Sequence, residues 1–255
     1  YQSVSFEYEE GRLILDGIDI SIPAGQKIVI LGGTGSGKSS FVNLLSRFYD
    51  PIKGEILIDS KNIKQYKLKK MRRQIGLVLQ ETYLFNATIK ENIAFGKPDS
   101  EDEEIIEVSK IANIHEFISG LPDAYDTKVG DRGITLSGGQ KQRISIARTL
   151  LTDPSILVFD DSTASVDAET EAQIQEALNI LSEGRTTIII SQRISSVHYA
   201  DRILVFDAGK IVQDGSHSEL INSKGLYQQI YQTLEQSYGE TDQHSQKDTI
   251  HGGND

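Results

Sequence analysis

Gly32, Gly33, Thr34, Gly35, Ser36, Gly37, Lys38 and Ser39 follow directly on the apolar segment Ile28-Val29-Ile30-Leu31. A G-x-x-x-x-G-K-S run after a strand is suited to holding nucleotide phosphates. The glycines let backbone N–H groups close around a β-phosphate, Lys38 reaches β- and γ-oxygens, and the Ser39 hydroxyl completes a Mg²⁺ shell. A helix opening at Gly37 offers its positive end to the same anion. This is a Walker A loop, and the candidate phosphate site runs from Gly32 through Ser40.

A second group, Leu136-Ser137-Gly138-Gly139-Gln140, precedes a stretch of helical periodicity. Ser137 and the two glycine amides at a helix start form another end that can hold an anion, although an N-cap and turn would use the same residues. A nucleotide needs one phosphate cradle, and this chain has two. Either two nucleotides bind one chain, or two chains share each nucleotide.

The surrounding elements must place these loops. Val4–Tyr8, Gly17–Ile20, Lys27–Leu31 and Glu55–Ile58 read as strands, with Pro23-Ala24-Gly25-Gln26 as a turn. Ile75–Leu79, Ile156–Asp160, Thr187–Ile190 and Ile203–Phe206 are short, apolar and β-branched, as buried parallel strands are. Ser39–Arg47, Asp102–Ala112, Ser137–Leu151 and Ala168–Leu181 carry helical spacing, and Ser216-His217-Ser218-Glu219 is a capping box opening a late helix. The pattern predicts an α/β fold: a P-loop core sheet with helices on both faces, an antiparallel β part, and an inserted helical subdomain over about 71–150. Residues 1–236 would form this domain, and 237–255 a polar, disordered tail.

Bulk properties narrow the class. A net charge of −11 argues against non-specific nucleic-acid binding, which needs Lys and Arg to replace counterions. The absence of cysteine excludes disulfides and thiolate metal sites. Apolar runs are far below the ~20 residues that cross a bilayer, so the chain reads as a soluble fragment. It starts inside a strand-like segment without a Met or signal peptide, and is expected to be cut from something longer.

Together the two loops resemble the nucleotide-binding domain of ATP-binding cassette (ABC) transporters, over about residues 1–236. In that family two domains pack head to tail, and each ATP, with Mg²⁺, lies between the Walker A loop of one and the signature motif of the other. Leu136–Gln140 is similar to that signature. By the same resemblance Tyr8 stacks on adenine. Gln80 is the Q-loop glutamine, which senses Mg²⁺ and the attacking water. Asp160, closing Ile156-Leu157-Val158-Phe159, is the Walker B aspartate that holds Mg²⁺ through water, and Asp167 is the D-loop aspartate that communicates across the dimer. Thr127–Gly133 is similar to the X-loop of exporters. Glu81–Phe85 and Thr88–Ile93 resemble the segment that touches coupling helices of the transmembrane domains. The family's chromosome-maintenance ATPases would need a long coiled coil between Gln80 and Leu136, and the interval is too short.

Two positions depart from the family pattern. Where the family usually places a Glu that polarises water, this chain has Asp161; its carboxylate sits about 1.5 Å further back, and misplacement by about 1 Å can cost on the order of a hundredfold in rate. Where the family usually has the switch histidine, it has Gln192, which can hydrogen-bond but cannot carry charge. The resemblance therefore implies a site, with Asp161, Gln192 and Gln80 as its catalytic residues and Ser39, Gln80 and Asp160 at the metal, that binds ATP but hydrolyses it poorly. An intact signature beside such a site implies the degenerate half of a heterodimeric exporter on the cytoplasmic face of a membrane. A silent regulatory ATP-binding module and a homodimeric ATPase are the alternatives.

Overall fold

The computed structural model describes residues 1–79, 82–130, 136–160, 176–191 and 194–236. β1 (Gln2–Glu7), β2 (Leu13–Ile18) and β4 (Lys53–Glu55) form an antiparallel sheet in the order β2-β1-β4, and β5 (Leu57–Ile58) and β6 (Lys61–Asn62) a small hairpin. The six-stranded sheet is ordered β11-β10-β3-β9-β8-β7, from β3 (Lys27–Gly32), β7 (Ile75–Val78), β8 (Ile156–Asp160), β9 (Thr186–Ile190), β10 (Arg202–Asp207) and β11 (Lys210–Gly215). Its strands are parallel except for β11.

Parallel strands are buried on both faces, and successive residues here divide between two cores. Val29, Leu31, Leu157, Phe159, Ile203 and Val205 face one; Ile28, Ile30, Val158, Leu204 and Phe206 face the other. Each fully buried Ile or Phe contributes roughly 1.5–3 kcal/mol, so the two faces rather than any turn hold the sheet. The second core is closed by β1, β2, helix α1 (Lys38–Leu45) and Met71 of α2 (Leu68–Arg73). Onto the first pack α3 (Ile89–Ala94), α4 (Asp102–Ile111), α5 (His115–Ser119) and α6 (Gly138–Thr152), then α7, helical over 176–182, α8 (Ile194–Tyr199), α9 (His217–Ile221) and α10, helical over 226–236.

Several boundaries differ from the sequence reading. The strand expected over Gly17–Ile20 lies at Leu13–Ile18 instead, because pairing with β1 puts Val4 opposite Ile18 and Phe6 opposite Leu15, and Gly17 (φ 63°) is accommodated within the strand rather than opening it. Met71 and β7 belong to the sheet and its core, so the helical layer begins at α3. The late helix opens on the Ser216–Glu219 capping box and ends at Ile221, and β11 has no counterpart among the predicted strands. Among the described residues no helix is long and apolar enough to cross a membrane.

Candidate nucleotide-binding site

In parallel α/β sheets ligands meet the carboxyl ends of the strands, where helix N-termini and loops converge. β3 ends at Gly32 and runs into the Walker A loop; β9, between β3 and β8, ends at Ile190; β8 ends at Asp160, paired in register with Ile190. Residues 32, 160 and 190 are thus brought to one sheet edge from distant parts of the chain.

The loop itself is shaped by close backbone approach. Gly32 has φ 147°, and a Cβ there would stand 2.3 Å from the Phe206 carbonyl oxygen. Gly37, the residue before α1, has φ 104°, and its Cβ would meet Leu15 Cδ2 at 2.7 Å. Gly33, Thr34, Gly35 and Ser39 are exposed, with open space where Gly33 and Gly35 lack side chains, whereas Ser36 and Ser40 are buried. The outer surface is free for phosphate and the inner one is welded to the core.

Lys38 Nζ donates to the carbonyl oxygens of Gly32 and Gly33, both at 2.8 Å. Partial burial lowers its pKa, and the negative charge of Asp160 opposes that shift. The ammonium therefore lies within electrostatic reach of the Asp160 carboxylate at the end of β8. These features fit a nucleotide polyphosphate with Mg²⁺: exposed glycine amides, a lysine within the loop, the exposed Ser39 hydroxyl and the Asp160 carboxylate.

Tyr8 reaches the same place from β1. Its hydroxyl lies 3.0 Å from Ser40 Oγ, and its half-exposed ring is held edge-on by Phe6 (4.7 Å) and Tyr49 (5.0 Å). Sequence reasoning missed the brace formed by the turn after β10. Gly209 N donates to the Ser36 carbonyl and its own carbonyl accepts from Asp16 N, tying β2 to the Walker loop. The Ala208-Gly209 pair, both at positive φ, was the available turn signal.

Ser137 caps α6 in a reciprocal capping box: its Oγ accepts from Gln140 N (3.2 Å), and its N–H donates to Gln140 Oε1 (2.9 Å). Both Ser137 and Gly138 are exposed, Leu136 packs on the core, and Gly139 is buried. The capping and anion-holding roles are compatible, since a capping Oγ keeps its own O–H to donate. Among the described residues no hydrogen bond or ion pair joins Leu136–Gln140 to Gly32–Ser40. Gln80, Asp161, Asp167 and Gln192 lie outside the described residues, as do residues 131–135.

The profile of the ABC transporter family matches residues 15–164. The chain belongs to the ABC transporter family. It is 49% identical over 229 residues to proteins of Staphylococcus aureus, from strains bovine RF122 and COL among others, named as multidrug export ATP-binding/permease proteins. The match covers 89% of this chain and 40% of each relative, so the chain spans about two fifths of their length. A solved structure of a bacterial Atm1-family ABC exporter with ATP bound superposes with a TM-score of 0.86 at 42% identity, covering 91% of this chain and 41% of that one. The ABC assignment accounts for the mixed sheet and the glycine-rich loop that follows β3 in one architecture.

Proposed function

We propose that this chain is the nucleotide-binding motor domain of an ABC exporter, with a Walker site that holds ATP and Mg²⁺ but turns over slowly, and a signature that serves a different subunit. The observation that carries the reading is Asp161 and Gln192, where the family usually places Glu and His, beside a complete Leu136–Gln140. ATP bound with Mg²⁺ would supply a cleavable γ-phosphate and the charge that draws two domains together. Lys38, the Gly33 to Ser39 amides and Ser39 Oγ would hold the polyphosphate, Asp160 would hold the metal through water, and Tyr8 would support the base. Asp161 would approach the attacking water from too far back, and Gln192 and Gln80 would orient it without taking its proton.

The partner would be a second ABC domain keeping Glu and His, and closure of the pair would act on transmembrane segments through Glu81–Phe85 and Thr88–Ile93. The relatives' names make small organic compounds the first cargo class to test. Steady-state hydrolysis by this chain and by its Asp161→Glu/Gln192→His double variant tests the reading, at concentrations that permit pairing. The wild type should be nearly inactive and the double variant at least tenfold faster. A wild type that hydrolyses as fast as the variant would favour a symmetric homodimer.

A further inference from the structure

Arg148, ten residues into α6, has its guanidinium largely inside the protein with no carboxylate partner among the described residues. Nε donates to the Asn92 carbonyl (2.7 Å), Nη2 to Asn92 Oδ1 (3.1 Å) and Nη1 to the Tyr83 carbonyl (3.2 Å). The rings of Phe85 and Phe95, stacked on each other at 4.2 Å, lie 5.6 and 5.9 Å from its Cζ. Burial lowers its pKa to about 10, which leaves it charged at neutral pH.

The Asn92 side chain, fully buried, completes the cluster with four hydrogen bonds of its own. Its Oδ1 also accepts from Phe85 N, and its Nδ2 donates to the Phe85 and Thr88 carbonyls. A largely desolvated cation with no carboxylate partner among the described residues is costly, and a Leu or Met would fill such a space at no electrostatic cost. A guanidinium offers what they cannot: planar donors that fix several groups in one geometry while its face rests on aromatic rings. The groups fixed here are the main chain at Tyr83 and Asn92. They carry a ledge of three aromatics, two of them more than half exposed: Tyr83 at 53% and Phe95 at 58%. The other end of the same α6 carries Ser137, about 16 Å away along one continuous helix.

We infer that Arg148 is a positioning residue: a rigid link that makes the Tyr83-Phe85-Phe95 ledge and the signature helix α6 move as one body. A segment of the membrane-embedded portion pressing on the ledge would thereby tilt α6 and shift Ser137 relative to the nucleotide it serves. This consequence rests on the functional reading above; the mechanical link does not.

The chain has no Trp, so Phe95→Trp places a single indole on the ledge. In that background Arg148→Met keeps much of the side-chain volume and removes the donors, whereas Arg148→Lys keeps a point charge without the planar fork. Acrylamide quenching of the indole and hydrogen exchange of the amides from Gly138 to Lys141 are then compared, with binding of a fluorescent ATP analogue as a control. Arg148→Met should at least double the quenching constant and speed exchange in the first turn of α6 at least tenfold, leaving analogue affinity within twofold; Arg148→Lys should fall between. Unchanged quenching and exchange in Arg148→Met overturns the link, whatever happens to the melting temperature. Should Arg148→Met not fold, Arg148→Lys decides, and behaviour identical to the parent overturns the link. Neither readout needs a partner or hydrolysis, so the link can fail while the exporter reading stands, and the reverse.

Discussion

Gly32 and Gly37 sit where a side chain would collide with backbone or core, whereas Gly35 stands in open space at a similarly positive φ of 78°. The three glycines of one motif should therefore respond differently to alanine. Gly32→Ala combines backbone strain with overpacking against Phe206 and should cost about 3 kcal/mol or more, together with ATP binding. Gly35→Ala meets only the penalty of a left-handed conformation, about 1–2 kcal/mol. Urea denaturation with nucleotide titration of both variants checks this contrast, and equal losses would mean the collision at Gly32 is relieved by movement of β10. Lys38 forms charge-assisted hydrogen bonds to its own loop, which phosphate oxygens would replace. Lys38→Met should lower ATP affinity by roughly 10- to 150-fold, as expected for loss of about 1.5–3 kcal/mol of charged hydrogen bonding, measurable by calorimetric titration.

At the scale of elements, α6 depends on Ser137 for its first turn and, in the proposed assembly, for its function. Ser137→Ala should cost about 1 kcal/mol of stability through the lost cap. It should also remove hydrolysis by the pair formed with a competent partner. Gln140→Ala breaks the reciprocal half of the capping box but keeps the hydroxyl, so it separates the two effects: similar helix fraying, with much of the hydrolysis retained.

The end of the chain offers a second element-scale test. α10 meets α8 and α9 through His198, His217, Tyr227 and Tyr231, with His217 Nδ1 2.5 Å from the Tyr227 hydroxyl and the two imidazoles 4.9 Å apart. Burial, then the neighbouring His198, lowers the His217 pKa, while Glu235 on α10 opposes the shift. A folded pKa below the ordinary value of about 6.5 means that the unfolded chain takes up this proton first. The contribution is complete above pH 6.5 and is lost as pH falls through the folded pKa. Melting temperature measured from pH 7.5 to 5 should fall more steeply in the wild type than in His217→Asn, and parallel curves would exclude this group as the cause.

For the whole molecule, the net charge of −11 bears on pairing. Two copies of this chain repel each other over distances comparable to the Debye length, about 10 Å at 0.1 M salt. Any self-association seen by sedimentation velocity with ATP and Mg²⁺ should strengthen as salt is raised from about 20 to 300 mM. Association that weakens with salt would point to complementary charged faces between identical copies and would favour the homodimer.

The local framework of the candidate site was legible in residue types and spacing, because the loop between β3 and α1, the β8 run ending at Asp160 and the Ser137 cap are each set by a contiguous stretch of chain. Strands β3 and β8 through β10 were equally readable, since burial on both faces demands unbroken apolar runs. The sequence could not give the order β10-β3-β9-β8, which depends on long-range pairing and alone brings Gly32 and Asp160 to a common edge. Nor could it show that β2 would start at Leu13, a register set by its partner strand rather than by its own residues. The Gly209 brace on Ser36 and the Arg148 cluster were invisible for the same reason. Each is a hydrogen-bonded contact between segments far apart in the chain, with no periodicity or spacing to announce it, and only packing decided which groups would meet.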